Sequence, residues 1–146
     1  MKTFNTIILS VAFILATSAV SYAQSDHANK KIKTYINNMV QKVETAEEPG
    51  QKRAILNKSF DKMIEAFDRV ESMSRIPEKD KEGIALLKTS ILEKQQELNG
   101  DKGFKRVADR QLDSFANYVQ QDMEQANTIT ISVTTLLLII IILLLI

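Results

Sequence analysis

The chain has 146 residues and an almost even charge balance, with 19 Lys and Arg against 18 Asp and Glu, for a formal net charge of +1. This length predicts one domain plus targeting segments, and the balanced charge argues against nucleic acid as a partner, because nucleic-acid binding usually depends on a basic face. The chain contains no cysteine, which excludes thiol catalysis, cysteine-based zinc sites, iron–sulfur clusters and a lipid anchor on an N-terminal cysteine.

The first 23 residues have the pattern of a signal peptide. Lys2 supplies a positive charge, an apolar run extends from Ile7 to Val20, and Ser21 and Ala23 place small residues at the positions that signal peptidase requires. We therefore expect cleavage after Ala23. The alternative is an uncleaved N-terminal anchor, which the shortness of the run disfavours, since a membrane span needs about 20 apolar residues.

Residues 24–127 are polar and carry apolar residues at helical spacing. The first two predicted helices are Ser25–Ala46 and Gln51–Ser74, and Pro49-Gly50 separates them. Their apolar stripes, at alternating steps of four and three, are Ile32, Ile36, Met39 and Val43, then Leu56, Phe60, Met63, Phe67 and Val70.

Two further helices are predicted from Pro77 to Leu98 and from Asp101 onward, with Asn99-Gly100 as the stop between them. Asp101 is the predicted N-cap of the fourth helix. The predicted stripes are Ile84, Leu87, Ile91 and Leu98, then Phe104, Ala108, Leu112, Phe115 and Val119.

Four helices with short connections predict an all-α fold, an antiparallel (up-down-up-down) four-helix bundle that forms the ectodomain over residues 24–127. Short loops favour this topology because they force neighbouring helices to run antiparallel. A three-helix arrangement and an elongated hairpin coiled coil are the alternatives.

Residues 128–146 predict a single C-terminal transmembrane helix, because no charged residue follows Glu124 and the run from Leu136 to Ile146 is entirely Leu and Ile. As a helix, residues 129–146 would extend about 27 Å, just enough for a hydrocarbon core of about 30 Å. Nothing in the sequence breaks the fourth helix before this span, so we expect one long helix with a kink near Asn127. A glycolipid-anchor signal beginning at Ala126-Asn127-Thr128 is the alternative reading.

This topology predicts two charged ends of the ectodomain. The end far from the membrane leans basic through Lys52, Arg53, Lys102, Lys105 and Arg106. The end near the membrane gathers Lys30, Lys31 and Lys33. These three lysines could contact anionic head groups, although an ordinary solvated helix face is the interpretation we favour.

No catalytic, cofactor-binding or metal-binding residue is predicted. His27 is the single histidine and lies near the mature N-terminus, off the apolar stripe of the first helix. A surface position is therefore expected, and a haem held between His27 and Met123 is the alternative. Carboxylate di-iron sites need two Glu-x-x-His pairs, which one histidine cannot supply.

Three weaker patterns also have simpler readings. The segment Asn99–Gly103 is a predicted turn, since it lacks the alternating acidic ligands of a calcium loop. Asn57-Lys58-Ser59 is a glycosylation sequon, meaningful only in a eukaryotic secretory pathway. A pocket lined by methionines and phenylalanines is an alternative to a plain core; its members would be Met39, Met63, Met73, Met123, Phe60, Phe67, Phe104 and Phe115.

The sequence therefore predicts a non-enzymatic interaction or structural protein of the bacterial cell envelope. It would be a single-pass membrane protein with its ectodomain on the extracytoplasmic side. Its expected partners are the membrane, through the C-terminal helix, and a protein partner or a second copy, through the ectodomain. A helical bundle that binds a lipid, haem or another apolar molecule is the alternative.

Overall fold

The computed structural model describes residues 30–125 and 131–146, and these ranges are helical with no strand. The all-α prediction is confirmed for them. The helices are α1 (30–45, described from residue 30), α2 (Pro49–Glu71), α3 (Glu78–Asn99), α4 (Leu112–Gln125) and α5 (Val133–Leu145), with a 3-10 turn at Asp109–Gln111. Residues 1–29, which include the predicted signal peptide and His27, lie outside the described residues.

Helix α2 begins two residues before its predicted start. Pro49 and Gly50 are its first two residues rather than a separator, because proline has no N–H to leave unpaired and its fixed φ suits the first turn. The helix also ends earlier than predicted, at Glu71, with Ser72 as its C-cap. Helix α3 ends as the Asn99-Gly100 signal predicts, and Gly100 takes the left-handed conformation with φ 79°.

The predicted start of the fourth helix is wrong. Residues 101–108 are not helical, and α4 begins at Leu112 after the 3-10 turn. Three residues in this region have positive φ, namely Gly100, Lys102 and Gly103, which a right-handed helix cannot contain. Phe104 and Ala108, predicted to lie on the apolar stripe, are therefore exposed.

Side chains from α2 hold this connection in place. The Arg53 guanidinium donates to the carbonyl oxygen of Leu98, to that of Val107 at 2.7 Å and to the Asp109 carboxylate at 2.9 Å. Lys52 forms an ion pair of 2.5 Å with Asp113. Arg53 thus bridges the end of α3 and the residues before α4.

The stripes predicted for the first three helices do form the core. The buried members are Ile36, Met39, Val43, Leu56, Phe60, Met63, Phe67, Val70, Ile84, Leu87, Ile91 and Leu98. From Leu112 onward the fourth stripe is also correct, because Leu112, Phe115 and Val119 are buried. Met73 differs from the prediction, since it lies beyond the end of α2 and is exposed.

Polar side-chain contacts show the relative direction of three helix pairs. Between α2 and α3 these contacts join Asn57 to Asn99, Asp61 to Gln95 and Asp68 to Lys88. Between α1 and α4 they join Asn37 to Gln120 and Glu44 to Asn117, and between α3 and α4 they join Ser90 to Asp122 and Lys94 to Tyr118. In each pair a residue early in one helix meets a residue late in the other, so each pair is antiparallel.

The apolar C-terminal segment packs on the domain. Helix α5 contacts α2, and Ile139, Ile142 and Leu143 belong to the same buried core as the other helices. Ser132 precedes α5 in an extended conformation, with φ −62° and ψ 148°, so the prediction of one long helix through the tail is wrong. Among the described residues, no helix combines the length and apolar character needed to cross a membrane.

Candidate functional site

The N-terminus of α5 is held by a buried carboxylate from α3. Asp80 is 4% exposed and accepts hydrogen bonds from the Ser132 backbone N–H at 3.0 Å, the Ser132 hydroxyl and the Thr135 hydroxyl at 2.5 Å. The Ser132 hydroxyl oxygen in turn accepts from the Thr135 backbone N–H, which makes it the N-cap of α5. One carboxylate therefore fixes the start of α5 against the first turn of α3.

The contacts of Asp80 favour its ionised form. Burial by itself raises the pKa of Asp80, but the hydrogen bonds from Ser132 and Thr135, together with the nearby charge of Lys79, lower the pKa below its usual value. Asp80 also lies in the first turn of α3 and beside the first turn of α5, where backbone N–H groups favour negative charge. The carboxylate is thus an anion at neutral pH.

The other end of α5 is exposed although it is wholly apolar. Ile141, Leu144 and Leu145 are 50%, 72% and 79% exposed, respectively. Single exposed apolar residues are common on soluble domains, but these three lie within five residues of one another on one short helix. They form a patch, called here the apolar tip.

A cavity of about 320 Å³ lies between α5 and the described start of α1. Its lining residues are Lys30, Lys31, Ile32, Thr34, Tyr35 and Asn38 from α1, and Ile140, Leu143 and Leu144 from α5. None of these nine residues is acidic. The cavity thus combines an apolar wall from α5 with cationic and neutral polar groups from α1.

Tyr35 forms part of the α1 wall and is half-buried. Burial raises the pKa of its hydroxyl, and a hydrogen bond with Ser59 opposes that change. Within residues 30–125 and 131–146, no carboxylate lies within ion-pair distance of Lys30 or Lys31. The positive charge beside the cavity is therefore not neutralised by these parts of the chain.

The cavity does not coincide with the alternative pocket that methionines and phenylalanines were expected to line. Met39, Met63 and Phe60 are at most 3% exposed and pack in the core. Phe104 is exposed instead. On α1, the cavity is lined by Ile32 of the predicted stripe and otherwise mostly by polar residues, which apolar periodicity in the sequence could not indicate.

Of the alternative haem pair, Met123 packs against the core from α4 and His27 lies outside the described residues. The segment Asn99–Gly103 contains the predicted turn, with positive φ at Gly100 and Gly103. In the parts of the chain that the structure covers, no group of three His, Asp or Glu residues could hold a metal ion.

The sequon lies near the start of α2, at the opposite end of this helix from Asp80. The basic end predicted far from the membrane, called here the basic rim, lies there too; its members are Lys52, Arg53, Lys102, Lys105 and Arg106. Asn57 exchanges two side-chain hydrogen bonds with Asn99, at 3.1 and 2.8 Å, in the contact between α2 and α3. A glycan on Asn57 would replace one hydrogen of the amide nitrogen that donates to Asn99. Two cations of the rim are already engaged, because Lys52 pairs with Asp113 and Arg53 with Asp109, so this rim is less basic than its sequence predicts.

Sequence reasoning missed Asp80 as an anchoring residue. The sequence did carry one local signal, because a serine three residues before a threonine, Ser132 and Thr135, is a pattern suited to a helix N-cap. Nothing in the sequence linked this cap to an acid 52 residues away.

Comparison with known proteins adds no assignment to this geometry. No family model matches the chain, and neither a curated protein nor a solved structure shows significant similarity to it.

Proposed function

We propose that the protein is a non-enzymatic envelope protein that associates with a membrane through residues 128–146 and presents its helical domain to a protein partner or to a second copy. The observation that carries this proposal is the apolar tip of α5. Helix α5 contains only Val, Thr, Leu and Ile, and its last residues stay in contact with water even when the helix is packed on α2. A bilayer would remove that surface from water.

The charges beside the tip support the same role. Lys30 and Lys31 line the cavity together with Leu143 and Leu144, so cationic groups lie next to the apolar end of α5. An apolar patch flanked by lysines suits a membrane surface with anionic lipids, where each basic residue contributes about 1 kcal/mol. This arrangement favours the head-group interpretation of these lysines over a plain solvated face.

The proposal includes an up-down-up-down domain formed by α1–α4 and followed by a single transmembrane helix. The three antiparallel helix pairs described above support the first part. The composition of residues 128–146 supports the second. For these residues to span a bilayer, α5 must leave α2, and the contacts of Asp80 with Ser132 and Thr135 must break. We therefore propose two arrangements of α5, one docked on α2 and one inserted in the membrane.

Fractionation of cells that express the full chain tests membrane association. We expect wild-type protein to stay in the membrane fraction after an alkaline wash. The double variant Leu137→Lys/Ile141→Lys should be released, because Leu137 lies at the middle of the proposed span, where a lysine costs about 3 kcal/mol, and Ile141 lies one helical turn from it. Leu86→Lys is the control, because Leu86 is an exposed leucine, at 60%, on α3.

Two outcomes would overturn the tail as the anchor. The first is release of the wild-type protein by the wash. The second is retention of the double variant, with N-terminal sequencing showing an uncleaved start, since the N-terminal segment would then be the anchor.

Crosslinking in intact membranes tests the interaction role separately. We expect covalent adducts with a defined partner or between copies of this chain. A protein that stays monomeric, captures no partner and co-purifies with a small molecule would contradict the interaction role and favour the ligand-binding alternative.

A further inference from the structure

We infer that the cavity between α1 and α5 binds a single-chain amphiphile with an anionic head, of the fatty-acid class. This inference goes beyond membrane association, because it assigns a discrete ligand to a defined site on the domain. The site exists while α5 is docked on α2, since α5 supplies one of its walls.

The wall from α5 suits an acyl chain. Ile140, Leu143 and Leu144 lie at positions i, i+3 and i+4 of the helix, so their side chains share one face. Leu144 is 72% exposed, whereas Leu143 is only 7% exposed. A chain lying along this face would cover the part of Leu144 that now meets water.

The size of the cavity limits the ligand to one chain. Its volume of about 320 Å³ is at the lower end of the range of about 300–1,000 Å³ found for small-molecule sites. A phospholipid with two acyl chains would need more room. The residue facing the chain from α1 is Ile32, which is partly buried and packs against the core.

The wall from α1 selects the charge of the head group. Lys31, Thr34 and Asn38 recur at steps of three and four, which places them on one helix face beside the cavity. Lys30 adds a second cation, and no lining residue is acidic. The ammonium groups of Lys30 and Lys31 and the side-chain amide of Asn38 can donate hydrogen bonds to a carboxylate, so an anionic head is favoured over a neutral or cationic one. The Thr34 hydroxyl already donates to the Lys30 carbonyl oxygen at 2.8 Å.

Photolabelling of the full chain tests this site. The protein is purified in a non-ionic detergent without lipid, so that no bilayer competes with α2 for α5. One probe is a twelve-carbon fatty acid with a diazirine near its end, and the other is the alcohol of the same chain. We expect peptides that carry residues 30–38 and 140–144 to be labelled about five- to tenfold more by the acid than by the alcohol.

Variants separate the site from general partition of the probes into the detergent micelle. Lys30→Glu/Lys31→Glu should lower acid labelling about five- to tenfold and leave alcohol labelling unchanged. Lys33→Glu is the matched control, because Lys33 is an exposed lysine of the same helix that does not line the cavity. Asn38→Trp should fill the cavity and lower labelling by both probes, with circular dichroism showing that the fold is kept.

Three results would overturn the inference: equal labelling by acid and alcohol, label spread over the helices without preference for these peptides, or an equal effect of Lys33→Glu. Membrane association is read by the alkaline wash, which Asn38→Trp should not affect. The binding site and the proposed function can therefore fail independently.

Discussion

Replacing Asp80 by asparagine tests whether one buried carboxylate keeps α5 docked. The substitution Asp80→Asn preserves size and shape but removes the charge and one acceptor oxygen. It also places an amide N–H₂ group among the donors of Ser132 and Thr135, where it cannot accept a hydrogen bond. The geometry of the three contacts therefore determines how much stability is lost.

The expected loss follows from those contacts. A hydrogen bond to a charged group contributes about 1.5–3 kcal/mol, so the three bonds to Asp80 amount to about 4.5–9 kcal/mol before the cost of burying the charge. That burial offsets several kcal/mol. Asparagine keeps one carbonyl acceptor, and we therefore expect Asp80→Asn to lower the docking free energy of α5 by about 2–3 kcal/mol.

Hydrogen exchange of the full chain measures this quantity at α5 itself. Backbone amides of residues 136–145 should exchange about 30- to 150-fold faster in Asp80→Asn, which corresponds to about 2–3 kcal/mol. Glu82→Gln is the matched control, because Glu82 is an exposed acid in the same helix. A change of less than about 0.5 kcal/mol in Asp80→Asn, or an equal change in the control, would refute the role assigned to Asp80.

The same contacts predict a dependence on pH. The folded state lowers the pKa of Asp80 below its ordinary value of 3.8, so its stabilising effect is complete above that value and is lost as pH falls through the folded-state pKa. Exchange of the α5 amides, corrected for the intrinsic rate at each pH, should therefore rise on acidification below 3.8 in the wild type. It should change less in Asp80→Asn; parallel profiles would contradict the assignment.

Three further predictions concern stability, each checked by urea unfolding of the full chain. Gly100→Ala should lower the free energy of unfolding by about 2 kcal/mol, because φ is 79° and an added Cβ would lie 2.7 Å from a neighbouring side-chain carbon. Gly50→Ala is the control, because a Cβ there meets nothing within 4 Å, and it should be neutral or slightly stabilising. Arg53→Lys should cost about 2 kcal/mol and speed proteolysis of the segment after α3, since one ammonium cannot replace the three guanidinium contacts; an unchanged cleavage rate would contradict this. Ile139→Ala should cost about 3 kcal/mol because its side chain is fully buried, and an equal effect of half-exposed Ile141→Ala would show that α5 is not docked.

Much of the domain was predictable because its signals are local. Stripes such as Leu56, Phe60 and Met63 repeat at helical spacing, and the structure buries them. Gly100 was also a readable stop signal, since its left-handed conformation is favourable without a Cβ. These features depend on residues within one or two helical turns, so the sequence is sufficient to predict them.

The start of α4 was harder to predict because two kinds of signal disagree. Phe104 and Ala108 continue the apolar spacing of Leu112, yet the glycines around them favour positive φ. The contacts of Arg53 with Val107 and Asp109 then hold the non-helical path. Tertiary contact from α2 thus decides between two local preferences that the sequence leaves open.

The sequence by itself determined that the protein is helical, where its main apolar stripes lie and that its C-terminal segment is apolar. Tertiary structure decided where that segment packs. Hydropathy reports how strongly Ile139 and its neighbours avoid water, but bilayer and protein core satisfy that preference equally well. Asp80, far away in the chain, stabilises the packing on the core by accepting hydrogen bonds from Ser132 and Thr135 at the start of α5, and such a contact leaves no periodic trace in the sequence.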